Sequence, residues 1–227
     1  ALNSKDKICV IVVGKRELPV WLSVKEAREQ AKSGIAIWDW VGGKEASKNP
    51  DVVLASAGDY LTQEALFAAK MCKDLVPELK IRYVNVSELT AIGLGDYCPH
   101  DSVGSCMSEM GANKFFTSDK PVVFNYHGYV TDIKQILWPY TSSDRFSLHG
   151  YREEGSTSTP FDLKVANGVS CYHLAMDLIE QGSKHNKAVA AKKPALMKAI
   201  NDKIKEHQAY IVMYGDDPEE VKSMKWE

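Results

Sequence analysis

The stretch Asp51-Val-Val-Leu-Ala-Ser-Ala-Gly-Asp59 indicates the fold class of this chain. Residues 52–57 form a continuous apolar run that ends at a glycine, which is typical of a strand buried on both faces of a parallel sheet. Residues 62–75 follow with small apolar residues at helical spacing, and Thr62 is a plausible N-cap. A buried strand that leads into a helix predicts a βα unit of an α/β domain.

The same alternation continues along most of the chain. Four further apolar runs predict strands, at residues 8–13, 81–86, 121–126 and 146–151. Helix starts are predicted at Ser23, whose capping box with Glu26 opens a segment that ends at Gly34, and at Pro160 and Pro194. The predicted fold class is therefore α/β with three layers, in which a mostly parallel five-stranded sheet carries helices on both faces.

Composition and charge exclude several classes of partner. The chain has 227 residues, of which 44% are hydrophobic and 26% charged, as expected for a globular protein with a sizeable core. A formal net charge of -2 gives no electrostatic reason to expect nucleic acid or an anionic membrane surface. No apolar run is long enough to span a bilayer, and residues 1–7 lack the features of a signal peptide. The five scattered cysteines indicate a reducing, cytoplasmic setting rather than a disulfide scaffold.

One segment interrupts the alternation and contains the only candidates for a metal site. Residues 93–113 are rich in glycine, proline and polar residues without a clear period, which predicts a surface insertion. Within it, the spacing of Cys98, His100 and Cys106 fits no zinc ribbon or finger, so no metal site is predicted. There is also no Gly-x-Ser-x-Gly elbow that would indicate a nucleophilic triad.

Two groups of polar residues are candidates for chemistry, each with a structural alternative. The histidines His127, His149 and His173 could act as acids or bases, or could simply be hydrogen-bonded near the core. Hydroxyl and backbone N–H groups of a loop before a predicted helix could bind an anion, or could cap that helix. This loop consists of Gly155, Ser156, Thr157, Ser158 and Thr159.

Several stretches resemble a known family, the C-terminal domain of phosphoketolases. The most distinctive are Asp119-Lys-Pro-Val-Val-Phe-Asn-Tyr-His-Gly-Tyr129 and His149-Gly-Tyr-Arg-Glu-Glu-Gly-Ser-Thr-Ser-Thr-Pro-Phe-Asp162. Residues 51–59, residues 80–86 and the ending, residues 216–220 with Trp226, are similar to it as well, whereas residues 93–113 depart from it. The resemblance implies a fold like that of the transketolase C-terminal domain.

The resemblance also implies a domain organisation and a reaction. Residues 1–20 would be the end of a preceding pyrimidine-binding domain and a linker, and residues 21–227 the C-terminal α/β domain. The whole enzyme would cleave xylulose 5-phosphate or fructose 6-phosphate with inorganic phosphate, giving acetyl phosphate, a shorter aldose phosphate and water. Thiamine diphosphate and Mg²⁺ would be bound by its first two domains at a dimer interface. The expected partners are thus those two domains and a second subunit, or a higher homo-oligomer.

The cofactor machinery of such an enzyme is not recognisable in this chain. Thiamine enzymes hold the diphosphate and metal with a Gly-Asp-Gly motif, which neither Leu94-Gly-Asp-Tyr97 nor Tyr214-Gly-Asp-Asp217 matches. The family's N-terminal histidines and its activating glutamate are also missing. We therefore expect no catalytic residue and no bound cofactor in this chain, and a mainly structural role.

Lys15 is the single residue to which the resemblance assigns a ligand. In the family, a Gly-Lys pair at the end of the second domain's last strand brings a lysine to the substrate phosphate, and Gly14-Lys15 has that position. A lysine is a flexible point charge suited to phosphate, and the carboxyl end of a strand is where α/β proteins place ligands. The alternative is a solvated lysine in a turn.

Two other functions remain open from the residues alone. The chain could be a regulatory module that binds a nucleotide or another phosphorylated metabolite at the carboxyl edge of its sheet. It could also be an unrelated free-standing α/β enzyme, although no assembled catalytic site is apparent in the sequence.

Overall fold

The computed structural model of the protein describes residues 10–15, 17–93, 109–138, 142–152, 155–222 and 226. The strands are β1 (Ile35–Ile37), β2 (Val52–Ala57), β3 (Ile81–Val86), β4 (Val122–Tyr126) and β5 (Phe146–Gly150). The helices are α1 (Val24–Ser33), α2 (Asp39–Gly42), α3 (Lys44–Lys48), α4 (Asp59–Leu75), α5 (Glu109–Phe116), α6 (Val130–Leu137), α7 (Pro160–Ala166), α8 (Cys171–Ser183), α9 (Lys187–Tyr214) and α10 (Glu219–Lys222).

The strands form one sheet in the order β1-β3-β2-β4-β5. Strand β2 lies at its centre and pairs in parallel with both β3 and β4, and β4 pairs in parallel with β5. The short strand β1 runs antiparallel along the outer edge of β3. Every residue of β2 and β3 is buried, which explains the nearly continuous apolar run of β2, whereas β3 also buries the polar side chains of Arg82 and Asn85.

Helices cover both faces of the sheet, so the three-layer α/β prediction is confirmed. On one face, Leu54 and Val123 pack into a cluster with Leu66 of α4 and Leu178 of α8. Helix α9 lies outside α8 and contributes Ile200 to the same cluster. A separate cluster on the opposite face joins the strands to α5 and α6. Its strand residues include Val53 and Phe124, and its helix residues include Phe116 and Ile133.

The predicted first strand is wrong over the residues that the structure describes. Residues 10–13 are irregular and their side chains are 72% to 90% exposed, whereas residues 8 and 9 lie outside the described ranges. The fifth strand of the sheet is β1 instead. A β-branched run becomes a strand where a sheet edge offers hydrogen-bond partners, and β1 already occupies the outer edge of β3.

Local signals in the sequence located two helix starts correctly and two incorrectly, and α7 begins at Pro160 as predicted. Ser23 and Glu26 form the predicted capping box of α1, and Gly34 ends the helix in the left-handed region, at a φ of 69°. Helix α4 begins at Asp59, three residues before the predicted cap. Pro194 lies inside α9, which Asn186 caps from further upstream. A proline inside a helix removes one backbone hydrogen bond, and the packing of α9 on α8 offsets that loss.

A row of polar side chains crosses the sheet near its carboxyl edge. Asn85, Ser56, Asn125 and His149 are neighbours in register on β3, β2, β4 and β5. Strand residues two positions apart share a face, so this row lies on the face that α4 and α8 cover. A buried polar side chain requires a hydrogen-bond partner, and the row therefore constrains the helices above it.

The hydrogen bonds of the row fix its neighbours from α1 to α4. Ser56 Oγ lies 2.6 Å from the Tyr83 hydroxyl and 2.9 Å from Thr62 Oγ1 on α4. Asn85 donates to the same Thr62 oxygen at 3.2 Å and accepts from Gln30 of α1 at 2.6 Å. Burial raises the pKa of Tyr83 to about 12, so its hydroxyl keeps its proton at neutral pH.

The network predicts a non-additive loss of stability. Ser56→Ala removes one hydrogen-bond partner from the Tyr83 hydroxyl and one from the Thr62 hydroxyl. This loss should lower the free energy of unfolding by about 1–3 kcal/mol. Tyr83→Phe removes the other end of the same bond, so the double variant should lose less than the sum of the two single losses. Urea denaturation of the four proteins measures this coupling, and strictly additive losses would contradict it.

Candidate functional site

The carboxyl ends of β2 and β4 mark the point at which the chain changes direction across the sheet. From β2 the chain passes through α4 to β3 on one side, whereas β4 lies on the other side and leads through α6 to β5. Connections that leave adjacent parallel strands in opposite directions open a crevice at their carboxyl ends, where α/β proteins bind ligands. The residues that follow these two strands therefore form the candidate site.

Asp59 and His127 are the ionisable pair at this point. The backbone N–H of His127 donates to the carbonyl of Ala57 at 3.0 Å, which holds the two strand ends together. Asp59 Oδ1 lies 3.5 Å from His127 Nδ1, and both side chains are 34% exposed. Gly58 permits this approach, because a Cβ at its position would lie 2.4 Å from the Cβ of His127. Its φ of 94° also favours glycine.

Asp59 also brings the start of the chain to the crevice. Its Oδ2 atom accepts a hydrogen bond from the backbone N–H of Gly14 at 2.7 Å, and its Oδ1 atom accepts one from the N–H of Tyr60 at 2.8 Å. Lys15 follows Gly14 directly and is exposed. The predicted strand before Lys15 is missing from the described residues, yet the lysine still lies beside the carboxyl end of β2.

Tyrosine rings surround the imidazole of His127. The Tyr60 and Tyr151 rings meet it edge to face, with ring centroids 5.7 Å and 5.6 Å away. Edge-to-face contacts of this kind hold a ring in one orientation while leaving part of it in contact with solvent. The crevice therefore presents an exposed ammonium, an imidazole and phenol rings, which suit recognition of a phosphorylated or other anionic group. The neighbouring carboxylate of Asp59 is already engaged, because it accepts hydrogen bonds from backbone N–H groups.

The last two residues of the predicted anion-binding loop 155–159 are hydrogen-bonded to carboxylates of the chain itself. Ser158 Oγ donates to Asp162, and Thr159 Oγ1 accepts from the N–H of Asp162 at 3.2 Å. Thr159 also donates to Asp217 Oδ1 at 2.5 Å, and the N–H of Phe161 donates to Asp217 Oδ2 at 3.0 Å. The buried Asp217 carboxylate thus lies at the start of α7, where an external anion would bind. Anion binding by this loop stays a prediction.

His149 and His173 lie apart from the crevice in a second cluster. His149 Nδ1 is 2.8 Å from the carbonyl oxygen of Gly168, and its Nε2 is 2.8 Å from Asp177 Oδ2 on α8. Burial lowers the pKa of His173, and the charge of His149 lowers it further; its Nδ1 lies 2.9 Å from Ser170 Oγ. Both ring nitrogens of His149 are engaged, so it joins β5 to α8 rather than serving as a free acid or base.

The described residues offer no site for a metal ion. Among them, no three carboxylate, imidazole or thiol side chains converge as ligands. Cys98, His100 and Cys106, like the sequence Leu94-Gly-Asp-Tyr97, lie outside the described ranges. No helix in those ranges is both long and apolar enough to cross a membrane.

An open groove of about 910 Å³ lies away from the crevice, along the free edge of β1. Trp38 and Trp40 stack in its wall with ring centroids 5.4 Å apart. Its charged lining comprises Lys25, Glu26, Glu29, Asp39 and Lys44. Carboxylates outnumber ammonium groups there, so the groove suits a phosphorylated ligand less well than the crevice does.

Comparison with known proteins assigns the family. The family model described as the XFP C-terminal domain matches residues 15–226. This chain belongs to that family. The predicted resemblance to the C-terminal domain of phosphoketolases is thereby confirmed.

The relatives of this XFP C-terminal domain are much longer than the chain itself. It is 37% identical to the "Probable phosphoketolase" of Bradyrhizobium diazoefficiens over 225 residues, which are 99% of this chain and 27% of that protein. It is also 37% identical to the "Probable phosphoketolase" of Chlorobaculum tepidum over 226 residues and to that of Streptomyces coelicolor over 227 residues, in each case 100% of this chain and 27% of the relative. The chain therefore spans about a quarter of the length of these relatives.

A solved structure resembles part of the chain more distantly. Transketolase from Leishmania mexicana gives a TM-score of 0.44 at 16% identity, over 69% of this chain and 19% of that one. This likeness is below the level that establishes a common fold, so the α/β class of the XFP C-terminal domain rests on its own sheet.

Sequence reasoning missed the pairing of Asp59 with His127 and Gly14. In the sequence, Gly58 marks only the end of a predicted strand, and His127 is one of three histidines that could act as acids or bases. Their positions directly after two predicted parallel strands could have brought them together, had the order of the strands been known. The contact with Gly14 has no signal in the sequence, because it joins residues 45 positions apart.

The second cluster predicts a pH-dependent loss of stability. Burial opposes ionisation of Asp177, but hydrogen bonds from His149, Ser147 and Gln181 outweigh it and lower the pKa of this carboxyl. A carboxyl group whose pKa is lower in the folded state stabilises that state at pH values above its unfolded-state pKa of about 3.9. This stabilisation is lost as the pH falls through the folded-state pKa. Asp177→Asn should therefore lower the free energy of unfolding by about 1.5–3 kcal/mol at neutral pH.

Denaturation of the wild type and this variant between about pH 7 and pH 3 tests the prediction, because the difference between them should shrink as the wild-type carboxylate is protonated. The control is Asp74→Asn, an exposed residue near the end of α4, which should change little at any pH. A deficit of Asp177→Asn that stays constant at acid pH would contradict the role of the carboxylate.

Proposed function

We propose that this chain is the C-terminal domain of a thiamine-diphosphate-dependent phosphoketolase. The whole enzyme would cleave xylulose 5-phosphate, fructose 6-phosphate or both with inorganic phosphate, releasing acetyl phosphate, an aldose phosphate and water. The observation that carries the proposal is the match to proteins named phosphoketolase over 99% to 100% of this chain but only 27% of each relative. On this reading, most of the catalytic machinery lies in the remaining part of such a protein.

The start of the chain supports a boundary between domains near residue 20. Residues 10–13 are β-branched and apolar, yet 72% to 90% exposed. A run of this composition is stable when buried in a sheet, which favours residues 1–20 as the last strand of a preceding domain and its linker. Residues 21–227 would then form the C-terminal domain, with Trp21 and Leu22 as the first side chains that pack on its core.

Other exposed apolar groups are consistent with contacts to the rest of the enzyme. At the end of α9, the side chains of Val212, Met213 and Tyr214 are 63% to 89% exposed. Contiguous apolar residues of this kind mark interaction surfaces. The proposed partners are the other two domains of the same polypeptide and a second subunit in a homodimer or higher homo-oligomer.

Lys15 is proposed to contact the phosphate group of the sugar substrate. It is exposed and lies at the crevice between β2 and β4, and in the described part of the chain no carboxylate pairs with it. His127 and Tyr151 line the same crevice. An unpaired ammonium at this position offers the charge that a phosphate requires.

The cofactors of the proposed enzyme would be held outside this chain. Thiamine diphosphate would supply the carbanion chemistry, and Mg²⁺ would bind its diphosphate, both within the first two domains. This chain would contribute Lys15 from the end of the preceding domain, and residues 21–227 would support the first two domains mechanically. A cytoplasmic location is part of the proposal and agrees with two free, buried cysteines, Cys72 and Cys171.

The proposal predicts a substrate-binding defect for Lys15→Ala in the full-length enzyme. Loss of a charged hydrogen bond costs about 1.5–3 kcal/mol, so kcat/KM for the sugar phosphate should fall on the order of 10- to 100-fold, mainly through KM. Lys15→Arg keeps the charge and should retain more activity. Steady-state kinetics with varied sugar phosphate at saturating inorganic phosphate measures the effect.

The matched control is Lys73→Ala, an exposed lysine near the far end of α4, which should behave like the wild type. Equal KM values for Lys15→Ala and Lys73→Ala would remove Lys15 from the proposal. Absence of acetyl phosphate among the products of the full-length enzyme would remove the proposed reaction. Saturable binding of a nucleotide to the 227-residue chain by calorimetry would instead favour a regulatory module.

A further inference from the structure

Among the described residues, the segment 10–15 that carries Lys15 is hydrogen-bonded to the rest of the chain through Gly14. Residues 10–13 and Lys15 are exposed, whereas Gly14 is partly buried. Within the described residues 10–15, the hydrogen bond from Gly14 N–H to Asp59 Oδ2, at 2.7 Å, is the one that fixes the backbone. Relative to β2 and α4, the position of Lys15 therefore depends on the residue that accepts this bond.

Close packing at Gly14 gives a second, independent reason for the same dependence. A Cβ at this position would lie 2.6 Å from Asp59 Oδ2 and 2.7 Å from a carbon of the Tyr60 ring. Contacts this short would force the Asp59 carboxylate or the Tyr60 ring to move, so a side chain at position 14 would disturb the group that accepts the Gly14 hydrogen bond.

Asp59 is attached to the rigid part of the domain. It is the first residue of the 17-residue helix α4 and comes two positions after β2, the central strand. Its Oδ1 atom accepts from its neighbour Tyr60, which fixes the orientation of the carboxylate. Further along the chain, Trp21 and Leu22 pack against the core, so Lys15 lies between the Gly14 hydrogen bond and this packing.

We propose that Asp59 is a positioning residue that holds Gly14 at the crevice and thereby directs the Lys15 ammonium toward the substrate phosphate. Its carboxylate acts through the backbone and does not touch the substrate. This inference rests on the proposed phosphate-binding role of Lys15 and adds the residue that makes the role possible.

Asp59→Asn tests the attachment in the chain itself. An asparagine side chain has one acceptor oxygen for the two N–H donors of Gly14 and Tyr60, so the segment should detach more often. Tryptic cleavage after Lys15 and Arg16 should accelerate on the order of 10-fold, as expected for loss of a hydrogen bond to a charged group. The Gly14 amide should lose hydrogen-exchange protection to a similar degree.

Gly14→Ala provides a second variant that leaves the charge of Asp59 intact. It should detach the segment through the short contacts of the added Cβ and give a similar rise in cleavage rate. Asp74→Asn, on the same helix but about 22 Å away, is the control and should leave cleavage at the wild-type rate. Wild-type cleavage rates in both Asp59→Asn and Gly14→Ala would overturn the inference.

Kinetics of the full-length enzyme test the consequence for Lys15. Asp59→Asn should raise KM for the sugar phosphate with little change in kcat, and the double variant Asp59→Asn/Lys15→Ala should be no worse than Lys15→Ala alone. Multiplied defects in the double variant would show that Asp59 acts independently of Lys15 and would overturn the inference. An unchanged KM in Lys15→Ala, with faster cleavage of Asp59→Asn, would refute the phosphate-binding role while leaving the attachment by Asp59 intact.

Discussion

The parallel pairing of β2 with two neighbours is the constraint on which the rest of the structure depends. Its backbone is bonded to β3 on one side and β4 on the other, and none of its residues is exposed. Because the chain leaves β2 toward β3 and returns on the far side for β4, the connections diverge at the carboxyl ends. Asp59 and His127 come directly after the ends of β2 and β4, so the order of the strands brings them together at that divergence.

A polar layer beneath this edge fixes the helices relative to the sheet. Apolar packing alone tolerates small shifts of a helix, whereas a buried hydroxyl or amide requires a partner at a defined distance and angle. Ser56 and Asn85 meet this requirement through Thr62 in the first turn of α4. The same turn carries Asp59, so the network that stabilises the core also orients the candidate site.

Carboxylates of the chain itself occupy other helix starts on this face. Asp217 accepts from the first turn of α7, and Glu64 accepts from the N–H of Cys171 at the start of α8 while pairing with Lys164 at 2.6 Å. Helix N-termini attract anions, so these internal acids satisfy positions that a phosphate would otherwise find favourable. The crevice between β2 and β4 differs, because an exposed lysine accompanies its carboxylate.

The sequence by itself determined the βα order, three central strands and several helix ends, since apolar periodicity and caps such as Ser23 and Gly34 act over a few residues. It also determined the family, through motifs that lie close together in the chain. Only the tertiary structure decided that residues 10–13 lie outside the sheet, that Pro194 lies within a helix, and that Asp59 meets Gly14 and His127. Those outcomes depend on which surfaces are already covered by segments distant in the chain, and local sequence patterns contain no information about such long-range contacts.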